Sequence, residues 1–183
     1  GSADHLVSQA FYFNDPENNG VELYWDRDRS QWSWVHGSIE MDTLYLDPNQ
    51  FLREHLTDSE VSKEKIVGHV HLSVGSIPAA EEFYVKMLGF EQTMNWGGQA
   101  LFVSAGGYHH HMAMNTWRSK GAGRRQLALG LGKVEINLPE VESVNETRDR
   151  LNFYQLDSRV EGDRLMLEDP WGNTISLSAT STR

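Results

Sequence analysis

One turn-forming segment occurs twice in the sequence. Residues 11–23 read FYFNDPENNGVEL, and residues 165–177 read LMLEDPWGNTISL, which aligns with the first copy without a gap. Each copy carries apolar residues on both sides of an Asp-Pro pair, and Asn or Gly follows the pair. Proline presets φ for a turn and Asn or Gly tolerates positive φ, so each copy predicts a strand, a tight turn and a second strand. The match predicts a duplicated structural unit, with a chance similarity of two hairpins as the alternative.

A second, looser repeat enlarges the predicted unit. VHLSVGSIPAAEEFYVKMLGF (70–90) resembles VEINLPEVESVNETRDRLNF (134–153) with one gap. In both copies an alternating apolar pattern precedes apolar residues at helical spacing. We therefore predict two βαβββ modules, at 67–117 and 126–178. Their predicted elements are strands 67–74, 90–95, 100–104 and 109–115 with helix 77–88, and strands 127–138, 154–158, 163–168 and 174–178 with a helix after 138.

The N-terminal third matches only the end of such a module. We interpret residues 1–25 as the terminal hairpin of a truncated preceding module, and 26–66 as a Trp-rich connector whose Asp47-Pro48 pair opens a short helix. An unpaired hairpin edge usually finds a partner strand, so we expect a homo-oligomer or a missing N-terminal half as partner. The predicted fold class is α+β: paired βαβββ modules forming a cupped mixed sheet, preceded by an orphan β-hairpin.

Composition excludes several classes of function. The 183 residues include 16 Lys and Arg against 26 Asp and Glu, and the net charge of −10 argues against a nucleic-acid partner. The chain has no cysteine, which excludes disulfides, thiolate metal sites and a cysteine nucleophile. No apolar run approaches the ~20 residues of a membrane span, and no signal-peptide pattern opens the chain, so we expect a cytoplasmic protein.

These motifs resemble those of a known superfamily. Paired βαβββ modules with IVGHVHLSV (66–74), FYVKMLGFE (83–91) and the Asp-Pro hairpins resemble the vicinal oxygen chelate superfamily, which contains glyoxalase I, bleomycin-resistance proteins and extradiol ring-cleaving dioxygenases. LFVSAGGYHHHMAMNTW (101–117) and HLVSQAFYFNDPENNGVELYWDR (5–27) are most similar to the C-terminal part of catechol-2,3-dioxygenases. The resemblance covers nearly the whole chain.

The resemblance implies a divalent metal, Fe(II) above all, and a small catecholic substrate. In such dioxygenases two His and one carboxylate hold the metal and leave positions for the substrate and dioxygen. His69 matches the first-strand ligand and Glu22 the last-strand carboxylate. Lys133 and Ser176 stand where the C-terminal pair of modules would carry a His and a Glu. The chain is therefore expected to lack part of the usual ligand set.

An alternative ligand set uses residues of the two complete modules. If 109–115 is a regular strand, Met112 and Met114 form its apolar face and His111 and Asn115 face the cup. His69, His111 and Glu135 could then converge on a metal as two imidazoles and one carboxylate. The competing interpretation is that Glu135 pairs with Lys133 and that the His run is a polar strand.

The function implied is that of a ring-cleaving metalloenzyme that is weak or inactive in this chain alone. His71, beside His69 on the first strand, is the candidate acid or base, and Asn115 is a second candidate catalytic residue. The alternatives are a non-catalytic module that binds small molecules, as bleomycin-resistance relatives do, and a structural half-domain.

Overall fold

The computed structural model describes residues 1–56, 66–126 and 128–180. Its contacts divide the chain into two compact units, Gly1–Val67 and Gly68–Arg183. Residues 57–65 of the predicted connector and Leu127, in the predicted first strand of the second module, lie outside the described residues.

The first unit contains a four-stranded sheet in the order β3-β2-β1-β6. Every described pairing in this sheet is antiparallel. Its elements are β1 (Ser2–Asp4), β2 (Ser8–Asn14), β3 (Gly20–Asp26), a 3₁₀ turn (Arg29–Gln31), the small ribbon β4 (Trp34–Val35) and β5 (Ser38–Ile39), β6 (Leu44–Tyr45) and α1 (Pro48–His55). The predicted hairpin is thus β2–β3, and β1 and β6 extend its sheet.

The short helix α1 begins where the Asp-Pro pair predicts. Asp47 caps it by accepting hydrogen bonds from the N–H groups of Asn49 and Gln50. In the middle of the helix, the Phe51 ring centroid lies 5.4 Å from that of Phe11 and 5.2 Å from that of Trp25. The connector therefore supplies a helix that covers the aromatic face of the β2–β3 hairpin.

The second unit contains the two predicted βαβββ modules. The first has β7 (Val70–Ser73), the helix α2 (Ile77–Ala80) with its π-helical continuation Glu81–Met87, β8 (Glu91–Trp96), β9 (Ala100–Ser104) and β10 (Met112–Asn115). The second has β11 (Val134–Leu138), α3 (Val141–Phe153), β12 (Ser158–Glu161), β13 (Arg164–Glu168) and β14 (Thr174–Ala179). The sheet orders β7-β10-β9-β8 and β11-β14-β13-β12 are equivalent, and in each the first strand pairs parallel with the last.

Four predicted strands begin at least three residues late. The strand predicted at 67–74 begins at Val70, and the strand predicted at 127–138 begins at Val134. The segment predicted as a strand at 154–158 starts four residues later, because α3 ends in a turn in which Gln155 adopts a positive φ of 56° and Leu156 N–H bonds to the Leu151 carbonyl. The strand predicted at 109–115 begins only at Met112.

The helices of both modules pack on one shared apolar core. One face of each sheet contributes to it, through residues such as Leu72, Met114, Leu165 and Ile175. Two polar contacts bridge the modules: the Tyr84 hydroxyl donates to Asp169 at 2.8 Å, and the Arg150 guanidinium donates to the Met87 and Leu88 carbonyls. We call the opposite sheet face, which carries His71, Phe102 and Glu135, the distal face.

The two copies of the repeated segment adopt the same turn. Asp15 N–H bonds to the Asn19 carbonyl as Asp169 N–H bonds to that of Asn173, and each Asp carboxylate accepts from the N–H and side-chain amide of its Asn. The position before the Asn has positive φ in both copies, at 66° for Asn18 and 82° for Gly172. The repeat is therefore structural, and β2–β3 corresponds to β13–β14.

Across the described residues, no helix is both long and apolar enough to cross a bilayer.

Candidate functional site

A chain of polar side chains crosses one face of the β2–β3 hairpin. Tyr12 and Glu22 are directly paired across the two strands, so their side chains share a face. The Tyr12 hydroxyl donates to Glu22 Oε1 at 2.9 Å, and His5 Nε2 lies 2.5 Å from the same hydroxyl oxygen. His5 Nδ1 lies 2.7 Å from the Asp42 carbonyl oxygen. The four groups form a continuous hydrogen-bonded row that ends on a carboxylate.

The proton positions in this row follow from its acceptors. The Asp42 carbonyl can only accept, so the nearer His5 nitrogen, Nδ1, is the donor of that contact. The Tyr12 hydroxyl gives its single proton to the Glu22 carboxylate. Burial first, and then the negative charge and hydrogen bond of Glu22, raise the pKa of Tyr12. Tyr12 is therefore a neutral donor that orients the Glu22 carboxylate.

Of this row, the sequence analysis identified only Glu22. The sequence does contain a signal for Tyr12. Asn14 and Gly20 are paired at the turn end of the hairpin, and Tyr12 and Glu22 each lie two residues from that pair. Strand alternation therefore places Tyr12 and Glu22 on one face. His5 reaches the row from the β1–β2 connection, where no periodic pattern fixes a side-chain direction.

The raised pKa values of Tyr12 and Tyr84 predict that, in an alkaline titration, these two phenols ionise at a higher pH than an ordinary tyrosine. Burial and then the charge of Asp169 also raise the pKa of Tyr84. In folded protein, we expect phenolate absorbance to show two of the six tyrosines ionising well above the ordinary value of about 10. Stability from these neutral phenols is present below that pH and is lost as pH rises through the folded-state pKa values. Tyr12→Phe and Tyr84→Phe should each remove one late group, and a wild-type curve with all six in one step near the ordinary value would contradict this.

Three imidazoles lie in a row at the edge of the first module. The His69 ring centroid is 4.3 Å from that of His110, and the His110 centroid is 4.6 Å from that of His109. His109 Nδ1 and His110 Nδ1 are 2.7 Å apart. His109 is fully buried and His110 is nearly so. The histidine adjacent to His69 is therefore His110.

The assigned strand β10 (Met112–Asn115) begins after His111, but His111 still bonds to β9. Its N–H bonds to the Val103 carbonyl, and its Nδ1 lies 3.2 Å from Ser104 Oγ, on the strand face that carries Phe102. His111 is exposed, its Nδ1 accepts from the Ala105 N–H at 3.3 Å, and its ring lies 4.9 Å from that of Tyr108.

Glu135 is engaged by two cations on the distal face. Lys133 Nζ lies 2.5 Å from Glu135 Oε1, which confirms the interpretation that these two residues pair, and Arg164 donates to the same oxygen. These hydrogen bonds, that of Lys133 first, lower the pKa of Glu135. The charge of this exposed carboxylate is thus neutralised by Lys133 and Arg164.

His71 and Asn115 lie on the distal face of neighbouring parallel strands. The His71 ring centroid lies 5.1 Å from that of Trp117 and 6.2 Å from that of Phe102. Asn115 is buried, and its Oδ1 accepts from the Trp117 N–H at 3.1 Å. The structure gives His71 an aromatic surrounding and Asn115 a contact that holds the following turn.

The described residues contain no group of three or more His, Cys, Asp or Glu side chains that could hold a metal ion. The structure accordingly does not assemble His69, His111 and Glu135 into one ligand set. Glu22, oriented by Tyr12, fits the role of a single carboxylate ligand.

Fold and sequence define the class of protein. Two consecutive βαβββ modules with parallel first and last strands are the architecture expected from the sequence motifs. The family profile of the Glyoxalase/Bleomycin resistance protein/Dioxygenase superfamily matches residues 66–177. The chain belongs to this superfamily.

One curated relative aligns with almost the whole chain. The catechol-2,3-dioxygenase of Bacillus subtilis (strain 168) is 36% identical over 175 residues, which cover 93% of this chain. The chain spans only 61% of the length of that relative.

Solved structures share the fold at low identity. Lactoylglutathione lyase from Agrobacterium tumefaciens has a TM-score of 0.50 at 17% identity, covering 64% of this chain and 96% of that one. An integron cassette protein from the mobile metagenome of Halifax Harbour sewage outfall has a TM-score of 0.51 at 14% identity, covering 64% of this chain and all (100%) of that one. At such identities the similarity shows the fold alone.

Proposed function

We propose that the chain is the C-terminal portion of an extradiol ring-cleaving metalloenzyme of the catechol-2,3-dioxygenase type, with little or no turnover by itself. The observation that supports this most is the hydrogen-bonded row from His5 through Tyr12 to the Glu22 carboxylate. It occurs in a chain that is similar over 93% of its length to a catechol-2,3-dioxygenase.

In this proposal Glu22 is the carboxylate ligand of a divalent metal, Fe(II). Tyr12 binds one carboxylate oxygen and thereby fixes the direction of the group, as outer hydrogen bonds commonly do for metal ligands. A bound metal would supply the Lewis acidity that lowers the pKa of a catechol oxygen. The described residues fit one carboxylate of such a site, which is why we propose weak activity for this chain.

His5 fixes the position of the Tyr12 hydroxyl in this row. Its Nε2 lies 2.5 Å from the phenol oxygen, and the Asp42 carbonyl holds the opposite ring nitrogen and fixes the imidazole orientation. His5 and Tyr12 would therefore keep the Glu22 carboxylate in one direction.

The test compares Glu22→Gln with a matched control, Glu135→Gln. Fe(II) binding is measured by anaerobic calorimetry, and ring cleavage by the absorbance of the yellow ring-opened product of catechol. We expect wild type to bind Fe(II) with slow or undetectable turnover, Glu22→Gln to lose at least tenfold in Fe(II) affinity, and Glu135→Gln to bind as wild type. Equal affinity in wild type and Glu22→Gln would contradict the role of Glu22. Fast turnover by wild type would contradict the incomplete ligand set.

We also propose that β1–β3 are the last three strands of a further βαβββ module. The β2–β3 hairpin corresponds to β13–β14, and β1 pairs antiparallel with β2 as β12 pairs with β13. In the complete modules the strand equivalent to β3 pairs parallel with the first strand of its module. The edge of β3 would accept such a strand, from the same protein or from a second copy.

Light scattering of the purified chain tests whether a second copy supplies this strand. We expect a dimer or larger oligomer, and a monodisperse monomer would contradict pairing with a second copy.

The aromatic groups of the first module favour a second candidate function, binding of a small aromatic molecule without chemistry. His71 and Trp117 offer two exposed rings with centroids 5.1 Å apart, and the buried Phe102 ring lies 6.2 Å from that of His71. Catechol binding followed by tryptophan fluorescence should weaken in Trp117→Ala and persist in Trp96→Ala, which replaces another exposed tryptophan. Metal-free binding that is lost in Trp117→Ala and unchanged in Glu22→Gln would favour this function over ring cleavage.

A further inference from the structure

We propose that a cleft between α3 and the β12–β13 hairpin binds a free α-amino acid with an apolar side chain. Arg148 binds the carboxylate of this ligand and Asp163 binds its ammonium group. The cleft lies within the second unit, on the side of the sheet opposite the distal face, and the proposal does not rest on the proposed ring cleavage.

The cleft is the open end of the space between helix and sheet in the second module. α3 places Val141, Val144 and Arg148 on one face, because residues three and four apart in a helix lie one above the other. Val160 and Leu165 are directly paired on β12 and β13, and Leu165 belongs to the core that the helix covers. These side chains line a cavity of about 410 Å³, which is within the usual size range of small-molecule sites.

The internal repeat provides a reference for how open this end of the core is. Val141 is the first residue of α3, as Ile77 is the first residue of α2 in the other module. Val141 is 59% exposed, whereas Ile77 is 2% exposed. Val160, across the cleft, is 62% exposed. Covering such apolar surface with an apolar ligand group is favourable, so the cleft suits an aliphatic side chain.

Opposite charges lie on the two sides of the cleft. Arg148 belongs to the middle of α3, and Asp163 lies in the turn between β12 and β13. Within the part of the chain that the structure describes, these two residues form no ion pair with each other or with a third residue. The guanidinium of Arg164, which also lines the cleft, is bound to Glu135 on the distal face. Arg148 and Asp163 can therefore each accept a ligand group of opposite charge.

Charge and apolar surface together select the class of ligand. A guanidinium binds a carboxylate through two parallel hydrogen bonds, and a carboxylate accepts from an ammonium group. An α-amino acid carries both charged groups and its side chain on one carbon atom. A fatty acid would give Asp163 no cation, and an alkylamine would give Arg148 no anion. We therefore expect leucine and similar aliphatic amino acids to bind.

The ligand class is tested by calorimetry on the full chain with L-leucine and with three analogues that each lack one group. Isocaproate lacks the ammonium group, isoamylamine lacks the carboxylate, and glycine lacks the apolar side chain. We expect one site for leucine and roughly five- to tenfold weaker binding of each analogue. Hydrogen exchange locates the ligand, and leucine should slow exchange in segments 141–148 and 158–165. No binding of leucine, equal binding of leucine and all three analogues, or protection confined to other segments would overturn the proposal.

The roles of the two charges are tested by reciprocal variants. Arg148→Gln should weaken the binding of leucine and isocaproate roughly five- to tenfold and leave that of isoamylamine unchanged. Asp163→Asn should weaken the binding of leucine and isoamylamine and leave that of isocaproate unchanged. The matched controls Arg159→Gln and Asp157→Asn remove the same charges outside the cleft and should bind leucine as wild type does. Circular dichroism checks the fold of each variant. Equal leucine binding by a folded Arg148→Gln and by wild type, or an equal loss in Arg159→Gln, would contradict the assignment.

Discussion

Asp169→Ala is expected to lower the free energy of unfolding of the second unit by about 3–5 kcal/mol. The buried Asp169 carboxylate accepts from the Tyr84 hydroxyl at 2.8 Å, from the Trp171 N–H at 3.0 Å, and from the N–H and side-chain amide of Asn173, each at 2.8 Å. Alanine removes all of these bonds and leaves buried donors without an acceptor, and each buried unsatisfied group costs about 1–3 kcal/mol.

The internal repeat supplies the matched control, Asp15→Ala. Asp15 accepts the equivalent bonds from Glu17 and Asn19 in the same turn. Among the described residues no tyrosine hydroxyl bonds to it as that of Tyr84 bonds to Asp169, and its turn is largely open to water. Water can replace the lost acceptor there, so we expect a much smaller loss of stability.

Hydrogen exchange read peptide by peptide measures the two units separately. Asp169→Ala should accelerate exchange throughout β13, β14 and the π-helical segment 81–87 that carries Tyr84. Asp15→Ala should accelerate exchange only around its own hairpin. Equal losses in the two variants would show that the buried bond from Tyr84 contributes little.

Local chemistry explains what the sequence predicted well. The Asp-Pro turns depend on side chains that bond to the backbone within four residues, so both turns were predictable from the amino-acid sequence alone. The Lys133–Glu135 pair was predictable because residues two apart in an extended segment share a face, and Lys133 directly precedes β11. Arg164 was not, because it reaches Glu135 across β14, where the small Ser176 lies opposite Glu135 and leaves space.

The errors occurred where the pairing of distant strands determines the residue at which a strand begins. The run His109–His111 has no intrinsic boundary, and β10 begins at Met112, opposite Val70 and Val103 on the neighbouring strands. His110 lies before this strand, and its ring becomes the neighbour of the His69 ring. Strand pairing between residues about forty apart fixes this, and a single sequence does not display it.

Gly75→Ala is expected to cost about 2–3 kcal/mol, through a steric conflict with a distant loop. A Cβ at Gly75 would lie 2.0 Å from the Ala122 carbonyl oxygen and 2.7 Å from Trp171 Nε1. The loop is bonded at this point: the Gly121 N–H donates to the Gly75 carbonyl at 2.8 Å, and Trp171 Nε1–H donates to the Ala122 carbonyl at 3.1 Å. A methyl group must displace backbone and break both bonds, since no flexible side-chain end is available to move.

Gly123→Ala is the matched control, because it adds the same methyl group in the same loop and meets nothing within 4 Å. Thermal unfolding measures the difference in stability, and the emission of Trp171, compared in a Trp171→Phe background, reports whether its indole N–H has lost its bond. We expect Gly75→Ala to lower the melting temperature and change the Trp171 emission, and Gly123→Ala to do neither. Equal melting temperatures for the two variants would mean that the loop yields without cost, and the contact between Gly75, Ala122 and Trp171 would then not hold the end of β7 against the second module.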